Sequence, residues 1–148
     1  MAVVKRDLSV PPRAVFDVLE DGWLFPLWVV GTSHMRAVDH DWPQKDTQIH
    51  HAFGTWPFVV RDVATVLEYD PPRWLVLQAR AWPAGQARIE IEVEPTADGC
   101  RVALDEYPIS GIGRALHNPA ADALLHRRNI EALARLAALA EGRAGGQG

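Results

Sequence analysis

Ala87-Arg88-Ile89-Glu90-Ile91-Glu92-Val93-Glu94 alternates apolar and charged residues without a break. Successive side chains of a strand point to opposite faces, so Ala87, Ile89, Ile91 and Val93 share one face and the four charged residues share the other. A strand with one face on a core and one in water belongs to an antiparallel sheet, since parallel strands are buried on both faces.

The same period of two extends in both directions. Strands are expected over Ser33 to Asp39, Thr47 to Thr55, Phe58 to Tyr69, Trp74 to Ala81, Gln86 to Glu94 and Cys100 to Tyr107. Turn chemistry separates them: Asp41-Trp42-Pro43, Trp56-Pro57, Asp70-Pro71-Pro72-Arg73, Trp82-Pro83-Ala84-Gly85 and Ala97-Asp98-Gly99. Connections this short imply hairpins. Upstream, Ala2 to Val10 reads as a first strand, stopped by Pro11-Pro12, whose fixed φ suits the start of a helix. That helix, Arg13 to Leu19, ends at Asp21-Gly22, and a bent short helix follows over Trp23 to Val30. Downstream, Ser110 to Asn118 is a glycine-containing loop. Pro119 then opens a long helix to about Glu141, with Asn118 as its N-cap. Its apolar face collects Ala121, Leu125, Ala132, Leu133, Leu136 and Leu139.

The expected fold is therefore α+β: a seven-stranded curved antiparallel sheet wrapped around a long C-terminal helix, with two short helices after the first strand. A sheet with one wet face must cover the other. A single domain over 1–141 and a flexible tail over 142–148 are expected.

The bulk composition bounds function. The chain has 148 residues, enough for one domain with a real core. A net charge of -4 argues against nucleic-acid binding, which needs a basic patch. The one cysteine, Cys100, allows no intrachain disulfide and agrees with a cytoplasmic setting. Met1 to Leu8 lacks the apolar run of a signal peptide. No segment approaches the length of a membrane helix, so no stable membrane insertion is expected. Six tryptophans suit either a packed core or an aromatic-walled cavity. Trp74 and Trp82, if exposed on the outer sheet face, would indicate a homodimer.

Ser9-Val10-Pro11-Pro12-Arg13-Ala14-Val15-Phe16-Asp17-Val18-Leu19, Trp28-Val29-Val30-Gly31, Val66-Leu67-Glu68-Tyr69-Asp70-Pro71-Pro72-Arg73-Trp74-Leu75 and Arg128-Asn129-Ile130-Glu131-Ala132-Leu133 span nearly the whole chain. In this combination the chain resembles the START-like, or SRPBCC, helix-grip superfamily. That group includes polyketide cyclases and dehydratases, lipid-transfer domains and the birch-pollen-allergen fold. The resemblance implies a cavity for a small hydrophobic ligand. It carries over no catalytic residue, because the matches are helix starts, a turn and a packing face. Function has to be argued from the site.

Glu106 is the first candidate. If Val102 and Leu104 face inward, alternation turns Glu106 inward too. A buried carboxyl there could serve as a general acid or base, or anchor a ligand hydroxyl; reaching water at the strand end is the alternative. Asn129 falls on the apolar face of the last helix and needs a partner: a ligand, a water, Glu106 or a strand backbone. Arg128, at the edge of that face, is expected to turn outward. His50 and His51 are adjacent on a strand and face opposite sides, so either could line the cavity and join Glu106 in catalysis, but they cannot chelate as a strand pair. His34 and Asp62 also lie on strands, with facing undecided. Trp28, Phe53 and Trp56, with Leu104 and Leu125, are candidate ligand contacts. No metal site and no cofactor motif is found. Gly111-Ile112-Gly113 lacks the context of a dinucleotide fingerprint.

Three functions follow as expectations. The first is binding of a lipid-like or polycyclic aromatic ligand. The second is a polyketide cyclase or dehydratase working through Glu106 with His50 or His51. The third is an interaction module without a ligand.

Overall fold

The computed structural model describes residues 2–55, 57–81, 85–110 and 119–146. Seven strands form one antiparallel sheet: β1 (Ala2–Leu8), β2 (Thr32–Val38), β3 (Gln48–Thr55), β4 (Phe58–Asp70), β5 (Trp74–Ala81), β6 (Gly85–Thr96) and β7 (Gly99–Ser110). Their order across the sheet is β1-β7-β6-β5-β4-β3-β2. From β2 to β7 the chain simply meanders, each strand pairing with the next, and β1 closes on the far side of β7. The decisive alternation holds: Ile89, Ile91 and Val93 are buried, while Arg88, Glu90 and Glu92 stay partly exposed. On that outer face Glu90 accepts from Arg88 Nε at 2.9 Å and from the Tyr107 hydroxyl at 3.0 Å.

Two short helices follow β1. α1 (Pro12–Leu19) has proline in its first turn and buries Val15, Phe16, Val18 and Leu19. A single 3₁₀ turn over Gly22–Leu24 is capped by Asp21, whose carboxylate accepts from the Trp23 N–H at 3.2 Å. α2 (Phe25–Trp28) comes directly after it. The bent helix expected from Trp23 to Val30 is thus two pieces, ended at Gly31, whose φ of 102° only glycine adopts readily.

α3 (Pro119–Gly146) continues past Glu141. It packs against β1, α1, α2 and β7. Its buried face carries Asn129, Ala132, Leu133, Leu136, Ala137 and Ala140, with Leu139 partly buried beside them. Leu125 is half-buried. The expected loop over Ser110 to Asn118, its Asn118 cap included, lies outside the described residues apart from Ser110, which ends β7. The core is one cluster. It joins Val15, Phe16, Val18 and Leu19 of α1 to Ile91 and Val93 of β6, Val102 and Leu104 of β7, and Leu133 and Leu136 of α3.

Candidate ligand-binding site

Glu106 lies where alternation puts it. Val102, Leu104 and Glu106 of β7 all face inward, and Glu106 keeps only 6 % of its surface exposed. Burial pushes its carboxyl above the usual carboxylate range, because the charged form loses its water. The charge of Arg128 and the amide of Asn129 oppose that rise. Arg128 brings Nη2 to 3.4 Å from Glu106 Oε1. The arginine expected to turn outward from the helix edge turns instead to the strand, drawn by a buried carboxyl far away in sequence.

Asn129 is 1 % exposed. Its amide is near enough to Glu106 to favour the ionised carboxyl, yet Nδ2 meets no acceptor at hydrogen-bond geometry among the described residues. A buried donor without an acceptor costs about 1–3 kcal/mol.

A second polar group enters from the other half of the sheet. His51 of β3 and Asp62 of β4 are direct cross-strand partners, so their side chains share the inner face. They are 2 % and 4 % exposed, with His51 Nε2 3.6 Å from Asp62 Oδ2. That is longer than a hydrogen bond, and neither ring nitrogen of His51 has a hydrogen-bond partner among the described residues. The Ala52 backbone is near enough to favour the protonated ring, but not at bonding geometry. Desolvation lowers His51 to about 4, so the imidazole is neutral at physiological pH. Desolvation raises Asp62 to about 6, against hydrogen bonds from the Val63 and Arg80 backbone and the charges of Arg80 and Arg128. Arg128 therefore acts on both buried carboxyls.

The structure resolves which histidine faces inward. His50 points to the outer face, with Nε2 3.7 Å from Asp39 Oδ1. It does not join Glu106, and its expected place as an alternative acid–base partner is corrected on that ground. Phe25 of α2 lies against His51, ring centroids 4.9 Å apart, and Trp28 meets Phe25 edge-on at 5.5 Å. Trp28 is 5 % exposed and packs against the Phe25 ring. Leu104 is buried one strand period before Glu106. Phe53 is placed by its backbone, paired with Thr32 and Val60; its side chain and Trp56 lie outside the described residues. Trp82 does too, and Trp74 is half-buried with Nε1 donating to Glu68 at 2.8 Å.

Asp62 stood among the strand candidates with its facing undecided, and Phe25 was not singled out by the sequence. The spacing of Asp62 from Ala64 and Val66, both fully buried, was the available signal for the first. Among the described residues no three His, Cys, Asp or Glu side chains gather into a metal-binding group, and no helix is long and apolar enough to cross a membrane. Two surface clefts, one of about 370 Å³ between β1 and α3 and one of about 450 Å³ beside Trp23 and Trp42, contain none of the buried polar groups.

Residues 2–141 match the model of a family described as polyketide cyclase/dehydrase and lipid transport. No curated protein matches the chain. Among solved structures, protein CV1439 from Chromobacterium violaceum aligns with a TM-score of 0.73 and 19% identity, over 94% of this chain and 96% of that one. Ara h 8.0201 aligns with a TM-score of 0.74 and 10% identity, over 95% and 96%. DynU16, a protein of the dynemicin biosynthetic locus, aligns with a TM-score of 0.69 and 18% identity, over 95% of this chain and 46% of its own. At these identities the likenesses establish the helix-grip fold and nothing finer.

Proposed function

This chain belongs to the polyketide cyclase/dehydrase and lipid transport family, and on that premise we propose that it holds a small, largely apolar ligand between the inner sheet face and α3. One observation carries the reading: the Glu106 carboxyl and the Asn129 amide are buried side by side, and Asn129 Nδ2 has no acceptor among the described residues. Leucine at both positions would be cheaper for a packed core, since buried polar groups need partners. An acceptor on a ligand, such as a carbonyl or hydroxyl oxygen, would satisfy the amide. Trp28, Leu104 and Leu125 supply apolar contact. The test is titration of the folded protein with N-phenyl-1-naphthylamine, a neutral apolar fluorophore. Saturable one-to-one enhancement is expected, and its absence would overturn the reading.

A second reading, a cyclase or dehydratase acting on a polyketide-like substrate, is favoured by Glu106 itself. A carboxyl raised by burial and held beside Arg128 has the chemistry of a general acid or base. His51, neutral and inward-facing, is its partner in that chemistry. Glu106→Gln should then abolish turnover while leaving fluorophore binding intact. Unchanged turnover would remove Glu106 from the mechanism.

A further inference from the structure

We infer that His51 and Asp62 together form a receptor for one uncharged hydroxyl group, so that the ligand is a hydroxylated, ring-bearing apolar molecule. The inference rests on the interior-binding reading and adds the ligand's chemical class to it.

The geometry begins with the strand pairing. Direct opposition in β3 and β4 aims both side chains at the same interior space. Both are more than nine-tenths buried, and Nε2 and Oδ2 stand 3.6 Å apart. Asp62 Oδ1 accepts the Val63 N–H at 2.6 Å, and Oδ2 is the oxygen that faces the ring. A neutral imidazole offers one N–H donor and one acceptor nitrogen, and a carboxylate offers only acceptors. A hydroxyl is both donor and acceptor. Its O–H can donate to Asp62 Oδ2 while its oxygen accepts from His51 Nε2–H, each at about 2.8 Å. Among groups an apolar ligand can carry, the hydroxyl is the simple uncharged one that completes both halves with one atom, and it would take the place of a buried water bridging the same two groups. A cationic group is redundant, because Arg80 and Arg128 already act on the Asp62 charge. An anionic group would face that carboxylate in a dry interior.

The ring requirement comes from Phe25 and Trp28. Phe25 lies 4.9 Å from His51, its plane tilted by 54°, and Trp28 meets it at 68°. The hydroxyl subsite is therefore flanked by aromatic faces and edges, which favour a flat aromatic neighbour.

The experiment uses a matched pair, 2-naphthol and naphthalene, each displacing N-phenyl-1-naphthylamine from the intact protein. Transfer from water favours naphthalene, since a hydroxyl costs free energy to bury unpaired. Tighter binding of 2-naphthol, by about tenfold, is therefore expected only if a built partner receives the hydroxyl. In His51→Phe that preference should vanish while naphthalene binding persists. Should this variant fail to fold, nitrogen NMR of the wild-type His51 ring serves instead: 2-naphthol should shift its resonances and naphthalene should not. Equal affinity for the two probes, an undiminished preference in His51→Phe, or unmoved ring resonances would each overturn the hydroxyl receptor and leave interior binding standing. Failure of the fluorophore to bind at all would overturn both.

Discussion

Arg128 on α3 holds its guanidinium 3.4 Å from the Glu106 carboxyl on β7, and its charge also reaches Asp62 on β4. One partly exposed cation thus lowers two carboxyls that burial raises. Arg128→Met keeps the aliphatic stem and removes the charge. The titrations of Glu106 and Asp62 should both move upward, as read by carbon NMR of the side-chain carboxyls. An unmoved Glu106 would mean that Asn129, not Arg128, governs it.

Burial gives Asp62 and His51 opposite pH signatures. The folded Asp62 value of about 6 exceeds its usual 3.8, so its contribution to stability is full below about 3.8 and is lost as pH rises through 6. The folded His51 value of about 4 lies below its usual 6.5, so its contribution is present above 6.5 and is lost as pH falls through 4. Asp62→Asn removes the first effect. The unfolding free energy of the variant minus that of the wild type should rise between pH 4 and neutrality by on the order of 2 kcal/mol. Urea denaturation at stepped pH measures it, and a flat difference would contradict the burial of an ionised Asp62.

Tyr69 donates its hydroxyl to Glu20, which also takes Arg13. This network ties the end of α1 to β4, beside the Phe16 ring. Tyr69→Phe leaves the ring contact and removes the donor. A loss of about 1 kcal/mol is expected in chemical denaturation.

Two glycines should respond in opposite directions. A Cβ on Gly99 would meet the Leu8 carbonyl oxygen at 2.1 Å and the Val10 nitrogen at 2.9 Å, both backbone atoms that cannot swing aside. Gly99→Ala should cost about 1–3 kcal/mol. Gly142, within α3, has open space around that position. Gly142→Ala should gain about 0.5–1 kcal/mol through helix propensity. Thermal melts of the two variants make the comparison.

The sheet was legible because its alternation is unbroken where it matters. Ile89, Ile91 and Val93 declare their face, and counting on from Val102 through Leu104 delivers Glu106 to the interior. Asp62 was harder for a physical reason. Tyr69 packs against the core, but the register of β4 shifts between Val66 and Glu68, so counting back from the hairpin puts Asp62 on the wrong face. Adjacent histidines must split between faces, yet nothing local says which goes inward; Phe25 and Asp62 surround His51, and Asp39 takes His50. Arg128 could not be read from its helix, because the carboxyl that turns it comes from β7.

Val4 pairs with Leu104, and Leu8 with Cys100, so the first strand of the chain is laid down against the last. During synthesis β1 emerges early and then waits, its apolar Val4 and Leu8 uncovered, until β7 has left the ribosome. Contacts so distant along the chain carry a large loop-closure cost and slow folding. A waiting strand with unpaired edges is also open to pairing with another chain. Yield in a cell should therefore depend on how quickly the C-terminal third follows, and chaperones that shield extended apolar segments should act on β1 first.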